Sequence, residues 1–267
     1  MPDSIVVTVA VGLAFAAALY MTLVWRLWKA RRIWRAGSTM QITKISAYQM
    51  ALLSGGVSRV ALTGVVRLLG RKILVPGVAG VLMENGTSHD ELDAVEKEVL
   101  ATARQPAVFR DLMVRLGSAL KRAGLIRGFR DELIAIGYMR AFGSRRWWAS
   151  YLINMLPFAV LIFTALGATT GLALSADERD TLLWFIGGAF ITMLIVALPA
   201  RVTELGRYIV WSATQHHPDF KTARAMQGDA IDIKILGQSV ALYGPDALAG
   251  SDMAWIPAVL AQVANTD

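Results

Sequence analysis

The chain has 267 residues, 55% of them hydrophobic, with a mean hydropathy of +0.48. That is too apolar for an ordinary soluble domain of this size, so membrane spans are expected. With no cysteine, disulfides and thiolate metal sites are excluded. The net charge of +7 is uneven: residues 26–146 carry 21 Lys/Arg against 9 Asp/Glu, or +12, while residues 201–267 carry 5 against 7, or −2.

A helix needs about 20 apolar residues to cross the hydrocarbon. Residues 5–25, 149–174 and 181–200 meet that requirement without a single charged side chain. The first is preceded by Met-Pro-Asp-Ser, which lacks the basic start of a cleaved signal, so an uncleaved anchor is expected. Basic residues near span ends stay in the cytoplasm. Arg26, Lys29, Arg31, Arg32 and Arg35 follow the first span, Arg145 and Arg146 precede the second, and Arg201 and Arg207 follow the third. The turn 175–180 between spans two and three is net −2. The expected topology has the N-terminus outside and both the middle domain and the C-terminal tail inside. Trp25, Trp28, Trp34, Trp147 and Trp148 would form an aromatic belt at the inner boundary, where basic residues also meet anionic lipid headgroups.

Within the second span Pro157 predicts a kink. Asn154 is expected to hydrogen-bond to a neighbouring helix, and Gly167 with Gly171 to allow close helix approach. Intramembrane ionisable groups mark most ion and proton paths. Their absence argues against a transporter or channel.

In the middle domain Ser46 caps a short helix that ends at Gly55-Gly56. A second helix over 57–70 has apolar residues at helical spacing. Two β-rich runs around Pro76-Gly77, closed by Asn85-Gly86, predict a hairpin. Helix, turn, helix, hairpin is the order of a winged-helix unit. A second such unit is expected to follow. Ser88 and Glu91 resemble a capping box opening a helix over 90–104, and helices over 108–123 and 130–142 come next. The stretch Leu120-Lys-Arg-Ala-Gly-Leu-Ile is similar to Leu69-Gly-Arg-Lys-Ile-Leu. The tail predicts two or three helices, over 204–215, around 229–244 and over 253–263. Its apolar content is too high for a disordered segment.

The residues Ala47-Tyr-Gln-Met-Ala-Leu-Leu-Ser-Gly-Gly-Val-Ser-Arg resemble the "ayLaGG-x-x-R" signature of an uncharacterised bacterial membrane-protein family. Thr203-Glu-Leu-Gly-Arg is similar to that family's "T-x-x-G-R", and Val240-Ala-Leu-Tyr-Gly-Pro-Asp-Ala-Leu to its "vALfG-x-x-aL". The Gly/Cys-rich tail of many members has no counterpart here. The resemblance implies no activity that can be carried onto residues. Family members are often encoded near enzymes that modify small peptides.

As a winged-helix-like unit the basic middle domain could bind DNA, with Arg59, Arg67, Arg71 and Lys72 on or after the second helix. Base readout needs Arg, Asn or Gln near the helix start, and Arg59 alone sits there. The pair His216-His217 points about 100° apart on a helix, which does not suit one metal. Asp90, Glu91, Asp93, Glu96 and Glu98 suit a helix start as dipole-complementing acids. No phosphate loop, G-x-S-x-G or H-E-x-x-H occurs. No catalytic, metal or cofactor site is therefore expected.

The sequence thus predicts a mainly α fold: three transmembrane helices plus a helical, winged-helix-like cytoplasmic domain with a small β-hairpin. The expected divisions are a first span (1–25), a basic domain of two tandem units (26–148), a helical hairpin (149–200) and a tail packing on the middle domain (201–267). The expected role is a non-catalytic scaffold or accessory subunit of the bacterial inner membrane that docks a protein partner. The alternatives are a membrane-tethered DNA-binding regulator and, more weakly, a membrane enzyme or an accessory to a peptide-modifying enzyme.

Overall fold

The computed structural model describes residues 45–77, 81–86, 91–105, 107–145, 147–153, 201–216, 232–249 and 251–264, with single positions between 17 and 32 and between 155 and 191. The described chain is mainly helical, with one two-stranded antiparallel sheet. It divides into two compact units, residues 1–39 with 140–201 and residues 40–139 with 202–267.

In the first unit the described positions of 17–32 are helical. Large apolar side chains stand exposed there, among them Tyr20, Leu27, Leu152, Leu156 and Trp184. Most of the three expected spans lies outside the described residues, as do Trp34, Asn154, Pro157, Gly167 and Gly171.

The second unit is built on α1 (Ala47–Gly70). Ser46 caps it through a capping box: its hydroxyl accepts from the Gln49 amide and its own amide donates to Gln49 Oε1 at 2.9 Å. Gly56, at φ 72° and ψ −157°, breaks the helix into two pieces. Those angles are open to glycine and costly for any other residue. By length and composition alone α1 could cross a membrane. In this unit it is instead the central helix, with Val60, Ala61, Val65, Val66 and Leu68 fully buried by its neighbours. It closes at Lys72, whose φ of 58° is left-handed. The Lys72 amide reaches Leu69 O and the Ile73 amide reaches Leu68 O, which satisfies the last carbonyls. The chain then enters β1 (Leu74–Pro76), paired with β2 (Leu82–Glu84) in the register Leu74–Glu84, Val75–Met83, Pro76–Leu82.

Helix α2 (Ala94–Ala103) starts later than the sequence suggests. Its capping box is Asp93 with Glu96, and Ser88, the expected cap, lies outside the described residues. The Asp93 carboxylate caps α2 while also binding Tyr48 and Arg67, and that second tie comes from the tertiary structure. In α3 (Phe109–Arg122) residues Phe109, Leu112, Leu116, Ala119 and Leu120 are buried, a three-and-four spacing that turns one stripe to the core. Left-handed Gly124 then opens α4 (Leu125–Ile136), which left-handed Gly137 ends. The helix expected over 130–142 is thus five residues earlier at its start, and Tyr138 and Met139 are not part of it. The similarity between the 69–74 and 120–126 stretches also stops here. After Lys72 the chain becomes a strand, whereas after Gly124 it becomes a helix.

The chain leaves this unit at Met139 and returns at Val202, and the two residues pair in an antiparallel bridge. The tail forms α5 (Glu204–His216), α6 (Ile233–Tyr243), a 3-10 turn over Gly244–Leu248 and α7 (Trp255–Ala264). Asp232 caps α6 by accepting from the Lys234 and Ile235 amides. Helix α6 lies along α1 in the most extensive helix pairing of the unit. Trp255 of α7 packs edge-on to the fully buried Phe109, with ring centroids 5.4 Å apart.

Antiparallel bridge partners lie about 5 Å apart, so a two-residue turn can join them. A chain made of residues 40–139 and 202–267, joined through Asn-Gly between Met139 and Val202, is expected to be a helical, water-soluble monomer with one cooperative melt. Circular dichroism and size-exclusion chromatography check this. Aggregation without a melt would show that residues 140–201 are needed for the unit to fold.

Candidate functional site

Glu96 is the one charged residue among the buried polar residues described, and none of its side chain reaches solvent. It sits on the first turn of α2 beside Val95 and Val99, facing the last turns of α1. From α1, Arg67 approaches Glu96 Oε1 with its Nε at 3.1 Å and Asp93 Oδ2 with its Nη1 at 3.1 Å. The contact between Nε and Oε1 lacks hydrogen-bond alignment and acts as an ion pair. Arg71 Nη1 lies 3.3 Å from Glu96 Oε2 and also donates to the Glu91 carbonyl at 3.1 Å. The hydroxyl of Tyr48 donates to Asp93 at 2.9 Å, and the Arg67 guanidinium lies 5.2 Å over the Tyr48 ring. That ring stacks on Phe129 of α4. Gln49 donates to Glu132, also on α4. The cluster therefore joins both ends of α1 to α2 and α4.

Burial pushes the Glu96 carboxyl above its ordinary range, against the pull of the Asp93 amide and of Arg67 and Arg71. Burial, and then the neighbouring Asp93 carboxylate, raise the Tyr48 hydroxyl, which stays a proton donor. The sequence pointed to Glu96 as a dipole-complementing acid only. Its helical spacing with Val99, Leu100 and Ala103, all buried, was the available sign that it turns inward.

Beside this cluster lies a cleft of about 630 Å³ lined by Ile45, Ser46, Ala47, Arg67, Arg71, Asp232, Ile233, Lys234 and Gln238. Gly237 lets α6 cross close over Arg67: a Cβ there would lie 2.9 Å from Arg67 Cδ. The guanidinium is thus pinned at its stem and at its head.

Arg59 does not reach outward. Its Nη1 donates to the Leu242 carbonyl at 3.2 Å, in the last turn of α6, where a cation also complements the helix dipole. Gly244, at φ 75°, passes so close that a Cβ would lie 2.6 Å from Arg59 Cζ. Burial lowers the Arg59 pKa, opposed by the attraction of Asp246. Ser54 of α1 donates to the Ala241 carbonyl. The Gly-Gly-x-x-Arg stretch of α1 and the Ala-Leu-Tyr-Gly-x-x-Ala-Leu stretch of the tail therefore interlock.

The stretch Thr203-Glu-Leu-Gly-Arg has a similar role. The Thr203 hydroxyl donates to the Gly137 and Tyr138 carbonyls and accepts from the Gly206 amide. Gly206 lies against Tyr138 O, where a Cβ would be 2.4 Å away. Of the four basic residues proposed for nucleic acid, Arg59, Arg67 and Arg71 are engaged inside the unit. Lys72 is exposed at the helix close, and its carbonyl accepts from Asn85.

In the other unit Trp25 and Trp28 stack at 5.5 Å, with Arg32 over Trp28. Trp147 packs between Phe142, Trp148 and Tyr151, with centroids at 4.8, 5.0 and 5.6 Å. Among the described residues no group of His, Cys, Asp and Glu could hold a metal ion. In comparisons with known proteins, no family model, curated protein or solved structure matches the chain.

Removing one partner of a buried charge cluster leaves the others uncompensated. Glu96→Ala is expected to cost about 3 kcal/mol, at the low end for buried pairs because the arginines border a cleft. Urea unfolding of the full chain in mild detergent measures it, and a cost below about 1 kcal/mol, the value of an exposed pair, would contradict the cluster. Arg59→Ala is expected to cost about 1–2 kcal/mol through the lost charged hydrogen bond. Gly244→Ala should cost more in the wild-type background than in Arg59→Ala, because the guanidinium it strikes is then gone. Strict additivity would contradict the interlock.

Proposed function

We propose that the protein is a non-catalytic scaffold or accessory subunit of the bacterial inner membrane. Three spans hold a helical, winged-helix-like body at the cytoplasmic face, and that body docks a partner protein. The observation that carries this reading is the inward use of the motif residues. Arg59, Thr203, Gly206 and Gly244 fasten the tail to the middle segment, as a rigid presenting body requires. The exposed apolar side chains of the first unit and its Trp147 cluster support a membrane location. The order helix, Gly56 break, helix, hairpin supports the winged-helix-like reading. Engagement of Arg59, Arg67 and Arg71 inside the body speaks against the DNA-binding alternative, which would need their guanidinium groups on phosphates or bases.

The absence of cysteine makes the topology directly testable. In intact cells an impermeant maleimide is expected to label Ser175→Cys, whereas Ser118→Cys, exposed on α3, is labelled after permeabilisation only. The reverse pattern would overturn the orientation. For the scaffold role, in-membrane cross-linking of the full chain should give a discrete adduct with one other protein. A chain that remains monomeric under cross-linking would contradict it.

A further inference from the structure

We propose that the exposed face of α3 is a docking surface for anionic phospholipid headgroups, on which the body rests against the bilayer. This rests on the membrane reading above and adds a contact which that reading does not contain.

Helix α3 concentrates the positive charge of its unit. It carries Arg110, Arg115, Lys121 and Arg122 against one acid, Asp111. The other described residues of the second unit carry 10 Lys/Arg against 11 Asp/Glu, so they add no positive field of their own. Many of those cations are engaged inside the unit: Arg59 with Leu242, Arg67 and Arg71 with Asp93 and Glu96, Arg104 with Glu84, Arg207 with Glu204. The three later cations of α3 differ. Arg115, Lys121 and Arg122 are exposed, and none of them has a hydrogen bond or ion pair among the described residues. Their charge is uncompensated, and a surface of opposite sign is its complement.

The exposed residues of α3 fill an arc of about 140° around the helix. Arg115 and Arg122 mark one edge and Arg110 and Lys121 the other, with Val114, Ser118 and Asp111 between them. Val114 is 69% exposed. A β-branched residue there gains nothing from packing and is a poorer helix former than Ala or Lys. An apolar side chain between cations suits the boundary of headgroups and acyl chains, where the charges meet phosphate and the isopropyl group leaves water. Nucleic acid offers phosphates without that apolar layer. The face also has no Asn, Gln or aromatic ring with which to read or stack a base. By the membrane reading, the spans hold the bilayer at high effective concentration beside the body.

A nitroxide at Ser118→Cys, the single cysteine of that full-length variant, tests the contact through its relaxation by a nickel-chelating lipid. In nanodiscs of equal parts phosphatidylcholine and phosphatidylglycerol, relaxation is expected to be about threefold faster than in phosphatidylcholine alone. Salt at about 0.5 M should remove the difference by screening. Replacing Arg115, Lys121 and Arg122 together by Gln should abolish it as well, with the circular dichroism melt unchanged. A nitroxide at Lys234→Cys on α6 should show no such difference. The proposal is overturned by equal relaxation in the two lipids, or by a difference that survives high salt or the triple substitution. Duplex DNA that binds the chain in phosphatidylcholine nanodiscs and is released by the triple substitution would also overturn it, making the face a nucleic-acid surface. If lipid contact fails while the maleimide pattern is as expected, the membrane reading stands and this contact alone is removed. A reversed maleimide pattern contradicts the orientation whatever the nitroxide reports.

Discussion

A carboxylate with no access to water organises the described body. Glu96 can stay charged at that depth only with cations against it, and both of its oxygens face arginines from the last turns of α1. Those arginines are fixed in turn by Asp93, by the Tyr48 ring and by the close passage of α6 at Gly237. Ends of α1 that lie some twenty residues apart in sequence are thereby held to the same point of α2. Such a cluster adds little net stability over an apolar core of equal volume. Its contribution is to fix one arrangement, because a shifted packing would strand a buried charge.

The second fastening is polar as well, and it joins distant parts of the chain. Arg59 reaches Leu242 across more than 180 residues of sequence. Thr203 spans the bridge where the chain leaves and returns, and accepts into the start of α5. Residues 140–201 thus interrupt a body whose two halves complete each other. A body closed in this way can accept an inserted segment between Met139 and Val202 without being divided by it. That is the physical content of the scaffold proposal.

Much of the fold is legible from local rules. The Ser46 cap, the Gly55-Gly56 break, the hairpin near Pro76 and the helical character of the tail each follow from cap chemistry, glycine or apolar spacing, which act within a few residues. The candidate site is far less legible. Arg59, Arg67 and Arg71 share a helix with exposed-looking spacing, and nothing local says that Gly237 and Gly244 will pack against their stems and heads. Asp93, the cap of α2, is also held by Tyr48 and Arg67, contacts 45 and 26 positions away that no local rule reports. The short motifs read from the sequence are where the tail is locked to the middle segment.

Hydrogen exchange on the full chain in nanodiscs tests most directly whether residues 45–139 and 202–264 form one body. Amides of residues 60–69 in α1 and 236–242 in α6 are expected to exchange through a single slow opening, with the same protection and the same denaturant dependence. Rapid exchange over 236–242 while 60–69 stays protected would mean that the tail is a separate, loosely attached element, and would contradict the account.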